Sequence, residues 1–164
     1  MKSDQQTFVP PAEVFEVPVG LVGEGFRLEP LGPEHNEGDL AAWSGSVEHV
    51  RATPGFLGDW PPEEGMSPEA NLADLVRHAR DFAERRGFTY SVLDGEGEGE
   101  QDGTGEVIGC LYIYPAKKDP ERVHVTSWVR ADRAALDKPV YETVSRWLAE
   151  VWPFDAERID YAAR

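Results

Sequence analysis

Apolar and polar residues alternate along 26–31 (FRLEPL), which predicts a half-buried strand closed by Pro30 and the Gly32-Pro33 pair. Leu40, Trp43 and Val47 recur at spacings of three and four and predict a helix around 39–49. The Pro- and Gly-rich stretch 53–66 reads as loop. A run of helix-start signals follows. Ser67 offers a capping hydroxyl, Pro68 suits the first turn, and Glu69 complements the positive end of the helix dipole. Leu72, Leu75, Val76, Ala79, Phe82 and Ala83 then form one apolar stripe, and Gly87 is expected to end the helix.

Three strands are predicted next, at 88–93 (FTYSVL), 107–114 (VIGCLYIY) and 122–129 (RVHVTSWV). The last two are joined by a short turn at 117–121, so they should pair antiparallel. A helix starts at Asp137-Lys138-Pro139, buries Val140, Val144, Trp147, Leu148 and Val151, and ends at Trp152-Pro153. Residues 158–163 make a last short strand, reached by a parallel crossover. The order predicts an α+β (α/β) domain over 26–164 with a mixed, mostly antiparallel sheet flanked by helices. Residues 1–25 are interrupted by Pro10, Pro11, Pro18, Gly20, Gly23 and Gly25, yet carry Phe8, Val9, Phe15 and Val17. They read as an extended N-terminal arm packed on its own domain or on a partner subunit.

Composition narrows the class. At 164 residues the chain is one domain by size, large enough to bury a core without disulfides or metal. The net charge is -15, with 22 acids against 7 Lys and Arg in residues 1–106, and 9 against 9 in 107–164. That balance weighs against nucleic acid and against anionic membranes. Residues 94–106 hold six acids, five glycines and no base, and are expected to be a flexible hairpin connection. They lack the spacing of a calcium loop. A single cysteine, Cys110, no basic start followed by an apolar run, and no apolar stretch of membrane length point to a soluble cytoplasmic protein.

The order and spacing of FRLEPL at 26–31, GEVIG at 105–109, WVRAD at 128–132, the helix from Val140 with Phe154, and ERIDY at 157–161 resemble the GNAT acetyltransferases. The likeness is to the branch with ribosomal-protein N-terminal acetyltransferases, and it covers residues 26–164. It implies transfer of acetyl from acetyl-CoA to an amine of a small molecule or peptide. It also implies that Trp128, Val129 and Arg130 border the pantetheine and that the following turn holds the pyrophosphate. There the sequence departs from the family. Residues 130–139 contain no glycine to let the backbone approach a phosphate, Asp137 can cap the helix itself, and Pro139 lacks an amide. Arg130, Arg133 and Lys138 remain to attract an anion. The family continues past the fifth strand with a helix and two strands, so a C-terminally shortened fold is expected. The arm or a second subunit, as in a homodimer, could complete it.

His124 is the expected base, because the family often carries a Glu near this strand position and histidine titrates near neutral pH. Thr126 and Trp128 share its strand face by alternation, and Tyr112 and Tyr114 share a face of the neighbouring strand with Cys110. Tyr112 and Thr126 join His124 as candidate catalytic residues. The strand setting of Cys110 favours a buried structural thiol. His35, His49 and His78 have no partner at metal-ligand spacing, and no metal is expected. Two functions stay open: an N-acetyltransferase, and a GNAT-fold binding or dimerisation module that has lost acetyl-CoA.

Overall fold

The computed structural model describes residues 8–56, 60–95 and 105–164. Most of the acidic connection, at 96–104, and the head of the arm, at 1–7, lie outside the described residues.

Six strands form one sheet in chain order: β1 (Leu21–Val22), β2 (Phe26–Pro30), β3 (Phe88–Asp94), β4 (Val107–Pro115), β5 (Val123–Val129) and β6 (Ile159–Tyr161). Every neighbouring pair is antiparallel except β5 and β6, which run parallel. The turn between β4 and β5 sets Tyr112 opposite Thr126 and Tyr114 opposite His124. Gly109 lies opposite Val129, where a side chain would collide with the Trp128 carbonyl, so β4 needs a glycine there to approach β5.

Alternation along the strands builds two cores, one on each face of the sheet. On one face Phe88, Tyr90, Ile113 and Val125 pack with Val140, Val144, Trp147 and Leu148 of α4 (Asp137–Glu150). The arm completes this layer. Phe8, Val9, Phe15 and Val17 join the same core, Tyr90 donates its hydroxyl to the Pro18 carbonyl at 2.6 Å, and Arg85 donates to the carbonyls of Pro10 and Phe15. On the other face Leu93, Cys110 and Trp128 pack with Trp43 of α1 (Asn36–Ser44), Val50 of α2 (Val47–Ala52) and Leu75 of α3 (Pro68–Ala83).

Several local expectations change. The single helix around 39–49 is two helices, broken at Gly45 and Ser46. Ser67 caps α3 as expected, its Oγ accepting from the Ala70 amide at 3.0 Å. The helix, however, ends at Ala83, well before Gly87, and Arg85 just beyond it adopts φ 62°. Gly87 instead leaves room for the Tyr114 ring. Val151 is exposed because α4 has ended. Asp137 is the first residue of α4 but makes no cap, its carboxylate turning to Arg164 instead. No described helix is long and apolar enough to cross a membrane.

Candidate functional site

The expected apolar stripe of α3 is not its inward face. Leu72 and Val76 are exposed, while Asn71, Leu75, His78 and Phe82, at spacings of four and three, turn to the protein. Two of those four are polar, and they do not meet ordinary core. They line a cavity of about 300 Å³ between α1, α3, β4 and β5, together with Asp39, Asp74, Tyr112, Thr126, Phe56 and Trp60.

Asp39 comes from the first turn of α1 and is buried. Its Oδ2 accepts from Asn71 Nδ2 at 3.1 Å, and Asn71 Oδ1 accepts from Trp43 Nε1 at 3.1 Å. The indole N–H therefore fixes which way the Asn71 amide faces. Burial pushes the Asp39 carboxyl up to about 6; the Asn71 bond opposes that rise and the nearby charge of Asp74 adds to it.

His78 stands on the same side. Its Nδ1 lies 2.9 Å from both Tyr114 Oη and Thr89 Oγ1, and Tyr114 donates its hydroxyl proton to Asp81 Oδ2 at 3.0 Å. With that proton committed, Tyr114 Oη can only accept: the tautomer with hydrogen on Nδ1 bonds it and keeps a lone pair on Nε2, whereas the other tautomer accepts from Thr89 Oγ1. Burial, aided by Arg77, lowers the His78 pKa, and the ring is neutral at pH 7. Burial likewise holds the Tyr114 phenol above its ordinary range.

The residues expected from sequence divide. Tyr112 and Thr126 line the cavity. Tyr112 is half-buried, its hydroxyl accepts from Trp128 Nε1 at 3.2 Å, and the burial of that hydroxyl pushes its pKa up. Trp128 and Val129 are core residues on opposite faces of β5. His124 is exposed, opposite Tyr114 and Asp160, and does not line the cavity. Cys110 is buried and its thiol is raised well above the ordinary value by burial. Asp39, Asn71 and Trp60 are not singled out by sequence, and His78 is weighed there only as a metal ligand and set aside. The available signal was a polar residue at each of two inward positions of α3.

The turn after β5 is a 3-10 helix over Ala131–Leu136. Arg130 grips Asp132 with two bonds, at 2.9 and 2.8 Å, and Glu106 with a third at 2.8 Å, which together raise its pKa further. Arg133 pairs with Asp94 at 2.9 Å and Asp137 with Arg164 at 2.6 Å. Three of the turn's amides already have acceptors: Ala131 donates to Ser46 Oγ, Arg133 to the Arg130 carbonyl, and Asp137 to the Ala134 carbonyl. Lys138 is exposed and makes no ion pair with the described residues.

No protein-family model matches the sequence, and no curated protein does. Solved structures match the fold. A ribosomal-protein-S5-alanine acetyltransferase from Vibrio fischeri superposes with a TM-score of 0.58 at 12% identity, over 80% of this chain and 67% of that one. The acetyltransferase that modifies the N-terminal serine of ribosomal protein L7/L12 from Salmonella typhimurium gives 0.56 at 9% identity, over 81% and 67%. A microcin C7 self-immunity acetyltransferase, solved with acetyl-CoA and AMP, gives 0.58 at 10% identity, over 84% and 68%. The chain has the GNAT fold, structurally similar to ribosomal-protein N-acetyltransferases, and spans about two-thirds of the length of these structures. Identities this low establish the fold and not the chemistry.

Acetyl-CoA carries a diphosphate, and the residues at the corresponding turn do not fit one. A phosphate cradle needs amides free to donate and cations free to pair. Here three amides have acceptors and both arginines hold carboxylates, which leaves Lys138 as the cation of the turn without an ion pair among the described residues.

Proposed function

We propose that this chain is a GNAT-fold binding protein that works without acetyl-CoA, and that its cavity takes a small organic amine in the cationic form. The observation that carries the first half is the neutralised turn, where Arg130 and Arg133 are each held by acids of the chain itself. Displacing those acids with a diphosphate would exchange one set of charged bonds for another and leave carboxylates beside the ligand.

The cavity supports the second half. Asp39 and Asp74 supply negative charge, and Trp60, Phe56 and Tyr112 supply aromatic surface that attracts a cation. The lone pair of His78 Nε2 can accept from an ammonium N–H. About 300 Å³ is the lower end of small-ligand pockets. The acid-rich first two-thirds of the chain biases the approach of cations.

Calorimetric titration with ethylamine, putrescine and benzylamine tests this. At least one should bind saturably, more tightly as pH rises through about 6, where Asp39 ionises. Asp39→Asn should weaken it about 10- to 100-fold, the range for a hydrogen bond to a charged group. Binding by none of them, or binding indifferent to Asp39→Asn, contradicts the assignment. Acetyl transfer is the second reading, favoured by His78: a neutral imidazole with a bare nitrogen beside a cavity is a fitting general base. That reading requires saturable binding of acetyl-CoA.

A further inference from the structure

The parallel pairing of β6 with β5 covers only Val123, His124 and Val125. Beyond that point the edge of β5 facing β6 has no strand partner among the described residues, and Arg164 lies against it. All five guanidinium hydrogens have acceptors. Nε donates to Asp137 Oδ2 at 2.6 Å, and Nη2 to the Ser127 carbonyl and Oγ at 2.7 and 3.3 Å. Nη1 donates to the carbonyls of Ala162 and Pro54 at 2.8 and 3.4 Å. The rings of Tyr141 and Tyr161 lie 5.9 and 5.8 Å from Cζ, within cation–π reach. The Arg164 side chain is 4% exposed.

An incidental surface ion pair does not look like this. A half-buried carboxylate, three carbonyls and two aromatic rings converge on one planar fork, which an ammonium could not satisfy in the same way. The Tyr161 hydroxyl is itself fixed by Ser127 Oγ at 2.6 Å, so the aromatic wall is braced before any ligand arrives.

We propose that the opening between β5, β6 and α4 is a guanidinium-binding site that the chain occupies with its own Arg164, and that an external alkylguanidinium takes it when Arg164 is removed. The proposal stands on residues that do not line the amine cavity, and amine binding can fail without touching it.

Chemical rescue tests it. Arg164→Ala leaves the carboxylate, the Ser127 carbonyl and the two rings facing a vacated side-chain volume. Its thermal midpoint should lie below that of the unaltered protein. Methylguanidinium at ten times its Kd should raise it by about 3–5 °C. Methylammonium and sodium chloride at equal ionic strength should not, and the unaltered protein should show no rise with any of them. If methylguanidinium leaves Arg164→Ala unmoved, or methylammonium rescues it equally, the site is not a guanidinium receptor. A measurement on the unaltered protein covers the case in which Arg164→Ala does not fold. The Arg164 Nε–H should give a resolved, slowly exchanging NMR signal shifted downfield by Asp137. A signal that exchanges like that of an exposed arginine would overturn the proposal.

Discussion

Asp39 and His78 carry the chemistry of the cavity, and neither is conspicuous in the sequence. An acid in the first turn of a helix ordinarily complements the helix dipole in solvent, and a histidine three places after a leucine reads as part of a stripe. Only the third dimension shows that Trp43, Asn71 and Asp39 form one chain of hydrogen bonds in the core, and that Tyr114 and Thr89 both meet Nδ1 of His78. Asp39 has a measurable consequence. Its folded pKa of about 6 exceeds the ordinary 3.8, so between those values the folded state keeps a proton that the unfolded chain has lost. Its contribution therefore makes stability fall as pH rises from about 4 to about 6, by an amount on the order of 2–3 kcal/mol. Asp39→Asn should be more stable than the parent near neutral pH and lose most of that advantage near pH 4. Urea unfolding at the two pH values checks it. An advantage of equal size at both would mean that Asp39 is not the titrating group.

The helix that bears His78 illustrates which features of an element are local. Its start is written in adjacent residues, Ser67 and Pro68, and the cap forms as expected. Its rotation is not local. Apolar periodicity nominates Leu72 and Val76, but the sheet beneath offers Tyr112, Thr126 and an open cavity, and the helix turns Asn71 and His78 toward them. The same distinction separates the two short helices α1 and α2, where three apolar residues span a break that Gly45 and Ser46 make. Ser46 has a tertiary reason for its place, since its hydroxyl accepts from the Ala131 amide. Removing the local signal at α3 should have a local cost: Ser67→Ala is expected to lower unfolding free energy by about 1 kcal/mol while leaving the cavity's ligand affinity unchanged. Denaturant unfolding and a parallel titration measure the two. A loss of affinity without loss of stability would show that the helix start shapes the cavity directly.

The order of β2 to β6, the antiparallel β4–β5 pair and the parallel β5–β6 crossover were legible in the sequence, because alternation, turn residues and connection length are written locally; the two-residue β1 within the arm and the division of the first helix were not. The departure from the acetyl-CoA turn was legible too, as missing glycines. Its physical cause was only half visible. Asp137 does not cap α4, and the arginines expected to await an anion instead hold Glu106, Asp132 and Asp94, two of them distant in sequence. Net charge of -15 thus acts on this molecule partly from within, neutralising its own cationic turn. The most direct measurement is calorimetric titration of the unaltered protein with CoA and acetyl-CoA. The account predicts no saturable heat up to millimolar ligand. Saturable binding at micromolar concentration, weakened by Arg133→Ala or Lys138→Ala, would contradict it and make this chain an acetyl-CoA protein.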